Sequence, residues 1–210
     1  MKSNVCILNK DLTCLELVLS EVEKVTVYNG LEDKNALRLR LLAEELCGML
    51  PGLVKNFSGD FWAENDGNNY ELHVELKADD MSIELRDELI SVSKSGKNDA
   101  AKGIMGKIRA VAETMLLVAN DPSTPAPNGE YYDCHGYNMG FGYVDPTIAS
   151  ETGYVYSWSL FSYKEAVNEK EDAYAELERS IVAKLADDII VGVRGKNVEI
   201  VVKKSFALCN

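Results

Sequence analysis

The sequence predicts an α+β layered domain, and three observations carry that expectation. Two stretches with helical apolar spacing stand near the N-terminus, from Leu15 to Val25 and from Leu39 to Leu50. Two hairpin patterns follow, one turning in N-D-G-N-N at 65–69 and one turning at Arg194 to Asn197. A further helical stripe, Tyr174, Leu177, Ile181, Val182 and Leu185, leads straight into the second hairpin. Helices mixed with antiparallel hairpins call for a sheet and a helical layer around one core. No internal repeat is visible.

The elements are justified in order. The apolar stretch Val5 to Leu8 predicts an opening strand. Thr13 with Glu16 three residues on matches a capping box, after which Leu15, Val18, Leu19, Val22 and Val25 recur at the helical period up to a stop at Gly30. A second helix is expected from about Asn35 to Cys47, with Leu39, Leu42, Ala43, Leu46 and Leu50 on one side. Gly48, Pro51 and Gly52 predict that it ends or bends nearby. Phe57 to Glu64 and Tyr70 to Lys77 then form a hairpin. Its second strand alternates, placing Tyr70, Leu72, Val74 and Leu76 inward and Glu71, His73, Glu75 and Lys77 outward. A helix near Ile83 to Ile90, a basic glycine-rich segment and a helix from about Ile104 to Ala119 come next.

The composition then changes. Four of the five prolines, with Gly129, Gly136, Gly140 and Gly142, lie between 121 and 146. The stretch at about 121–165 reads as an insertion inside a single domain spanning 1–210, because the elements after it are needed to complete one core. Within it, Tyr154, Tyr156, Trp158 and Leu160 alternate with Val155, Ser157 and Ser159, which predicts a strand. After Ala186-Asp187-Asp188 the run I-I-V-G-V-R-G-K-N-V-E-I-V-V-K-K makes the last hairpin.

Composition limits the function classes. The chain has 210 residues, 46% of them apolar and 27% charged, as in ordinary globular proteins. A net charge of −12 argues against general binding to nucleic acid or to anionic membranes. No apolar run approaches the roughly 18 residues of a membrane span, and the N-terminus carries no apolar signal core. Five cysteines, odd in number and without C-x-x-C spacing, suit unpaired thiols in a reducing cytoplasm.

Few motifs carry chemistry. Residues 94–109, K-S-G-K-N-D-A-A-K-G-I-M-G-K-I-R, hold five cations and three glycines. Such a segment running into a helix N-terminus can cradle phosphate, and it can equally be a solvated loop. It is not a Walker loop: Gly103 and Gly106 are too close, and Ile108 supplies no hydroxyl after Lys107. His73 points outward and is expected to be solvent-exposed. Asp133-Cys134-His135 offers three ligand types, yet adjacent side chains rarely converge on one ion. Neither a Gly-x-Ser-x-Gly elbow nor an H-E-x-x-H is present. Tyr131 to Tyr163 holds seven of ten tyrosines, an aromatic sheet face packed on a helix or a partner-binding surface.

Taken in order, these pieces resemble the GHKL (histidine kinase-like) ATPase fold, and most closely the bacterial anti-sigma-factor serine kinases. L-R-L-L-A-E-E-L-C-G-M-L sits where that family carries its N-box helix. Y-E-L-H-V-E-L-K-A-D-D sits where a strand runs into the adenine-contacting aspartate. K-S-G-K-N-D-A-A-K-G-I-M-G-K-I resembles the glycine lid around the triphosphate. E-R-S-I-V-A-K-L-A-D-D-I-I-V-G-V-R-G-K-N-V-E-I-V-V-K-K looks like the final helix and hairpin. The likeness covers most of 1–120 and 170–207 and leaves the insertion without a counterpart.

The resemblance implies a two-layer sandwich, with one mixed, mostly antiparallel sheet and helices on one face. It implies ATP or ADP as ligand, with Asp79 and Asp80 at the adenine and Lys97, Gly103, Gly106 and Lys107 at the phosphates. Glu45 would be the catalytic base. Two departures stand out. Met49 replaces the N-box asparagine that holds magnesium, and a thioether is a poor ligand for a hard cation. The adenine box keeps Asp79-Asp80 but neither glycine. Standard magnesium chemistry is therefore not expected. The implied function is a cytoplasmic bacterial regulatory protein that acts through a protein partner, with weak or lost nucleotide binding. The alternative is an active serine kinase or ATPase that recruits magnesium through other carboxylates, Glu44 or Asp80. A homodimer is compatible with either reading. A third reading makes Tyr131 to Trp158 the working surface of a binding module.

Overall fold

The computed structural model describes residues 1–9, 11, 13–53, 57–78, 104, 108, 111–112, 115–116, 141–143, 156–167, 180–194 and 196–207. Among these residues, seven strands form one sheet. They are β1 (Cys6–Asn9), β2 (Phe57–Asp66), β3 (Asn69–Ala78), β4 (Phe141–Tyr143), β5 (Tyr156–Ser159), β6 (Asp188–Arg194) and β7 (Asn197–Ser205). Their order is β1-β2-β3-β7-β6-β5-β4, and each described pairing is antiparallel. Four described helices accompany it: α1 (Leu15–Tyr28), α2 (Asp33–Leu53), α3 (Leu160–Val167) and α4 (Ile181–Leu185). Ile104, Ile108, Val111, Ala112, Met115 and Leu116 are also helical, which agrees with the expected Ile104–Ala119 helix. The expected helix at 83–90, and Tyr174 and Leu177, lie outside the described residues. The architecture is α+β and compatible with a two-layer sandwich.

Alternation along the strands decides which side of the sheet is covered. Phe61, Val74, Ile200 and Val191 form one row across β2, β3, β7 and β6, and Ala63, Leu72, Val202 and Ile189 form the next. All eight are buried, in one cluster with Val18 and Val22 of α1, Leu42 and Leu46 of α2, Ile108, Tyr163 of α3 and Val182 of α4. Every described helix thus feeds its buried side chains to the same face. The first hairpin turns at Gly67 (φ 59°) and Asn68, since Asp66 pairs with Asn69, and that short turn sets the register of the whole ladder. Gly59 is required for packing. A Cβ there would meet the Glu75 carbonyl oxygen at 2.5 Å and Leu76 Cδ2 at 2.6 Å.

The helix ends depart from expectation at one point and agree at another. Cys14, not Thr13, precedes α1 and gives no side-chain cap. The Thr13 hydroxyl instead accepts from Asn9 Nδ2 at 3.1 Å, so the expected capping box does not form. At the other end Gly30 (φ 63°) donates to the Val27 carbonyl and Leu31 donates to the Thr26 carbonyl. That pair of bonds is the Schellman termination for which a left-handed glycine is suited. The second helix runs past Gly48 and Pro51 to Leu53, longer than expected. Its buried stripe Leu39, Leu42, Ala43, Leu46, Cys47 and Leu50 runs past Gly48 to the residue before Pro51, and tertiary burial there outweighs the local propensity of one proline.

The C-terminal unit is joined by one carboxylate. Ser159 ends β5, and its hydroxyl accepts from the Ser162 N–H at 3.3 Å, so the strand's last residue also starts α3. Asp188, first in β6, accepts from the Ser159 hydroxyl at 3.0 Å, the Phe161 N–H at 2.9 Å and the Ile189 N–H at 2.8 Å. The strand expected to reach Leu160 therefore stops one residue early, because Leu160 is drawn into the capped helix. Ser180 caps α4 in the same way, accepting from the Ala183 N–H at 3.2 Å.

Candidate functional site

Of the residues that the resemblance assigns to a nucleotide site, Glu45 is described. Asp79, Asp80, Lys97, Gly103, Gly106 and Lys107 lie outside the described residues. Glu45 sits on α2 and is exposed, as is Glu44 beside it, while Leu46 and Cys47 next to them are buried. Met49, one turn on, is half-buried and packs against the core. The helical period thus turns the carboxylates of this turn to solvent and engages the thioether with apolar neighbours.

Connectivity places the flanks of the expected site. From Leu53 at the end of α2 to Phe57 at the start of β2 the chain spans at most about 14 Å. Phe57 pairs with Ala78, the last residue of β3. The C-terminal end of α2 and the exit of β3 towards residue 79 therefore share one end of the sheet. Glu45 stands about two turns back along α2. Ile104, the first described residue after 78, and Ile108 are helical and buried, so core helix positions begin inside the basic glycine segment at 94–109 and not after it.

The sheet's other face carries a polar and aromatic cluster. Trp62 and His73, paired across β2 and β3, stack with ring centroids 4.8 Å apart and 5° between planes. Lys2 Nζ lies 4.2 Å from the Trp62 ring centroid and 3.0 Å from Glu64 Oε1, which also accepts from Trp62 Nε1 at 2.7 Å. These donors hold the Glu64 carboxyl below its ordinary value, the Lys2 hydrogen bond most of all. His73 is on the outward face as expected, but its side chain is only 12% exposed, so it is not the solvent-exposed histidine that alternation predicts. Its Nε2 lies 3.2 Å from Glu71 Oε2 and its Nδ1 3.7 Å from Glu199 Oε1, neither in hydrogen-bonding geometry. Trp62 covers one face of its ring, and Glu71 and Glu199 flank the nitrogens. The hairpin register, which pairs 62 with 73, is the signal that would have shown this.

Other titratable groups have structural roles. Glu21 on α1 is buried and accepts from Lys24 Nζ at 2.6 Å and from the backbone N–H and Nδ2 of Asn4, both at 3.1 Å. The Lys24 bond above all lowers its carboxyl. Burial pushes the Cys47 thiol up to about 12 and raises that of Cys6, so neither is poised as a nucleophile. Lys164 donates to the Ala183 carbonyl at 2.7 Å, and burial lowers its ammonium.

No group of three or more metal-ligating side chains is assembled among the described residues, and no described helix is long and apolar enough to cross a membrane. Comparison with models of known protein families, with curated proteins and with solved structures finds no match.

Proposed function

We propose that the chain is a regulatory protein of the GHKL type, related to the anti-sigma serine kinases, which acts through protein contacts and binds nucleotide weakly or no longer. The observation that carries this reading is the α2 turn holding Glu45 and Met49. The expected base is exposed there, while the residue in the magnesium-binding position is a thioether engaged with the core. Phosphoryl transfer depends on positioning and charge neutralisation, so loss of that ligand weakens catalysis more than binding. Support for the fold comes from an antiparallel sheet whose described helices share one face, and from α2 and the exit of β3 meeting at one end. Support for protein contacts comes from exposed apolar side chains on the helices: Leu17 and Tyr28 on α1, Leu37 and Leu41 on α2.

An active kinase or ATPase is the competing reading. Exposed Glu44 beside Glu45 favours it, because a second carboxylate there can recruit magnesium. Calorimetric titration of ATP and ADP, with and without magnesium, tests both. The proposal expects weak heats that magnesium does not strengthen and that Lys107→Ala and Asp79→Ala both abolish. Silence up to millimolar nucleotide leaves an adaptor that works by protein contacts alone. Tight, magnesium-dependent binding with turnover would overturn the proposal in favour of the enzyme.

A further inference from the structure

We draw no further inference here: the strongest candidate, the open groove of about 470 Å³ beside the β2–β3 turn, lined by Lys2, Glu64, Asp66, Asn69 and Glu71, is a cluster of acidic residues that Lys2 already partly neutralises, and nothing in the structure points to a ligand for it.

Discussion

The two faces of the sheet follow different rules. On the helix-covered face the rows Phe61–Val74–Ile200–Val191 and Ala63–Leu72–Val202–Ile189 are apolar throughout and buried. On the other face the adjacent row runs Trp62–His73–Val201–Ile190, flanked by Asp60, Glu75 and Glu199 on one side and Glu64, Glu71 and Lys203 on the other. One face is held by non-directional burial, which any apolar side chain of the right volume supplies. The other is held by specific pairs: an indole on an imidazole, an ammonium over the indole, a carboxylate bonding both. The first should tolerate no loss of volume. The second should tolerate most single changes.

The comparison is broken most severely from the covered side. Phe61→Ala, at a fully buried position, should cost about 3–5 kcal/mol in urea unfolding. A loss below about 1 kcal/mol would mean that the covered face is not the core. Gly59→Ala belongs next, since the new Cβ would meet backbone of β3, with an expected cost of about 1–3 kcal/mol.

The junction between strand and helix comes third. Ser159→Ala should cost about 1 kcal/mol and lower helical signal without changing the sheet, because the hydroxyl caps α3 and bonds Asp188. Asp188→Asn should cost at least as much, since three donors address that carboxylate.

A pH series examines Glu21. Its folded value lies below its ordinary value of 4.5, so the carboxylate's contribution is complete above the unfolded value and disappears as pH falls through the folded one. Wild-type stability should therefore fall more steeply below about pH 4.5 than that of Glu21→Gln. Parallel curves would show that the bonds to Lys24 and Asn4 do not form in solution. The smallest effect belongs to the open face. Lys2→Ala should cost about 0–1 kcal/mol, removing an exposed ion pair and a cation–π contact, and added salt should shrink the difference.

How far the fold was legible follows the same division. Tyr70, Leu72, Val74 and Leu76 alternate, and each is buried where alternation puts it. The stripes of α1 and α2 behave likewise, because a single wetted side makes periodicity informative. Boundaries were harder to read. The end of β5 at Ser159 depends on Asp188, distant in sequence, and Pro51 remains helical directly after Leu50, which is anchored in the core. His73 was misread because alternation reports the face and not what its cross-strand neighbour covers. Of the candidate site, Glu45 and Met49 could be located from helical phase alone. The convergence of α2 with the exit of β3 needed the register that pairs Phe57 with Ala78.

The central claim is that Glu45 and Met49 occupy a nucleotide-site turn that has lost its magnesium ligand. ATP titrated with and without magnesium into wild type and Met49→Asn, side by side, tests it most directly. The account predicts no gain from magnesium in the wild type and a magnesium-dependent gain in Met49→Asn, whose amide oxygen restores a hard ligand. A wild type that already binds ATP more tightly with magnesium, or a Met49→Asn protein indistinguishable from it, would contradict the account.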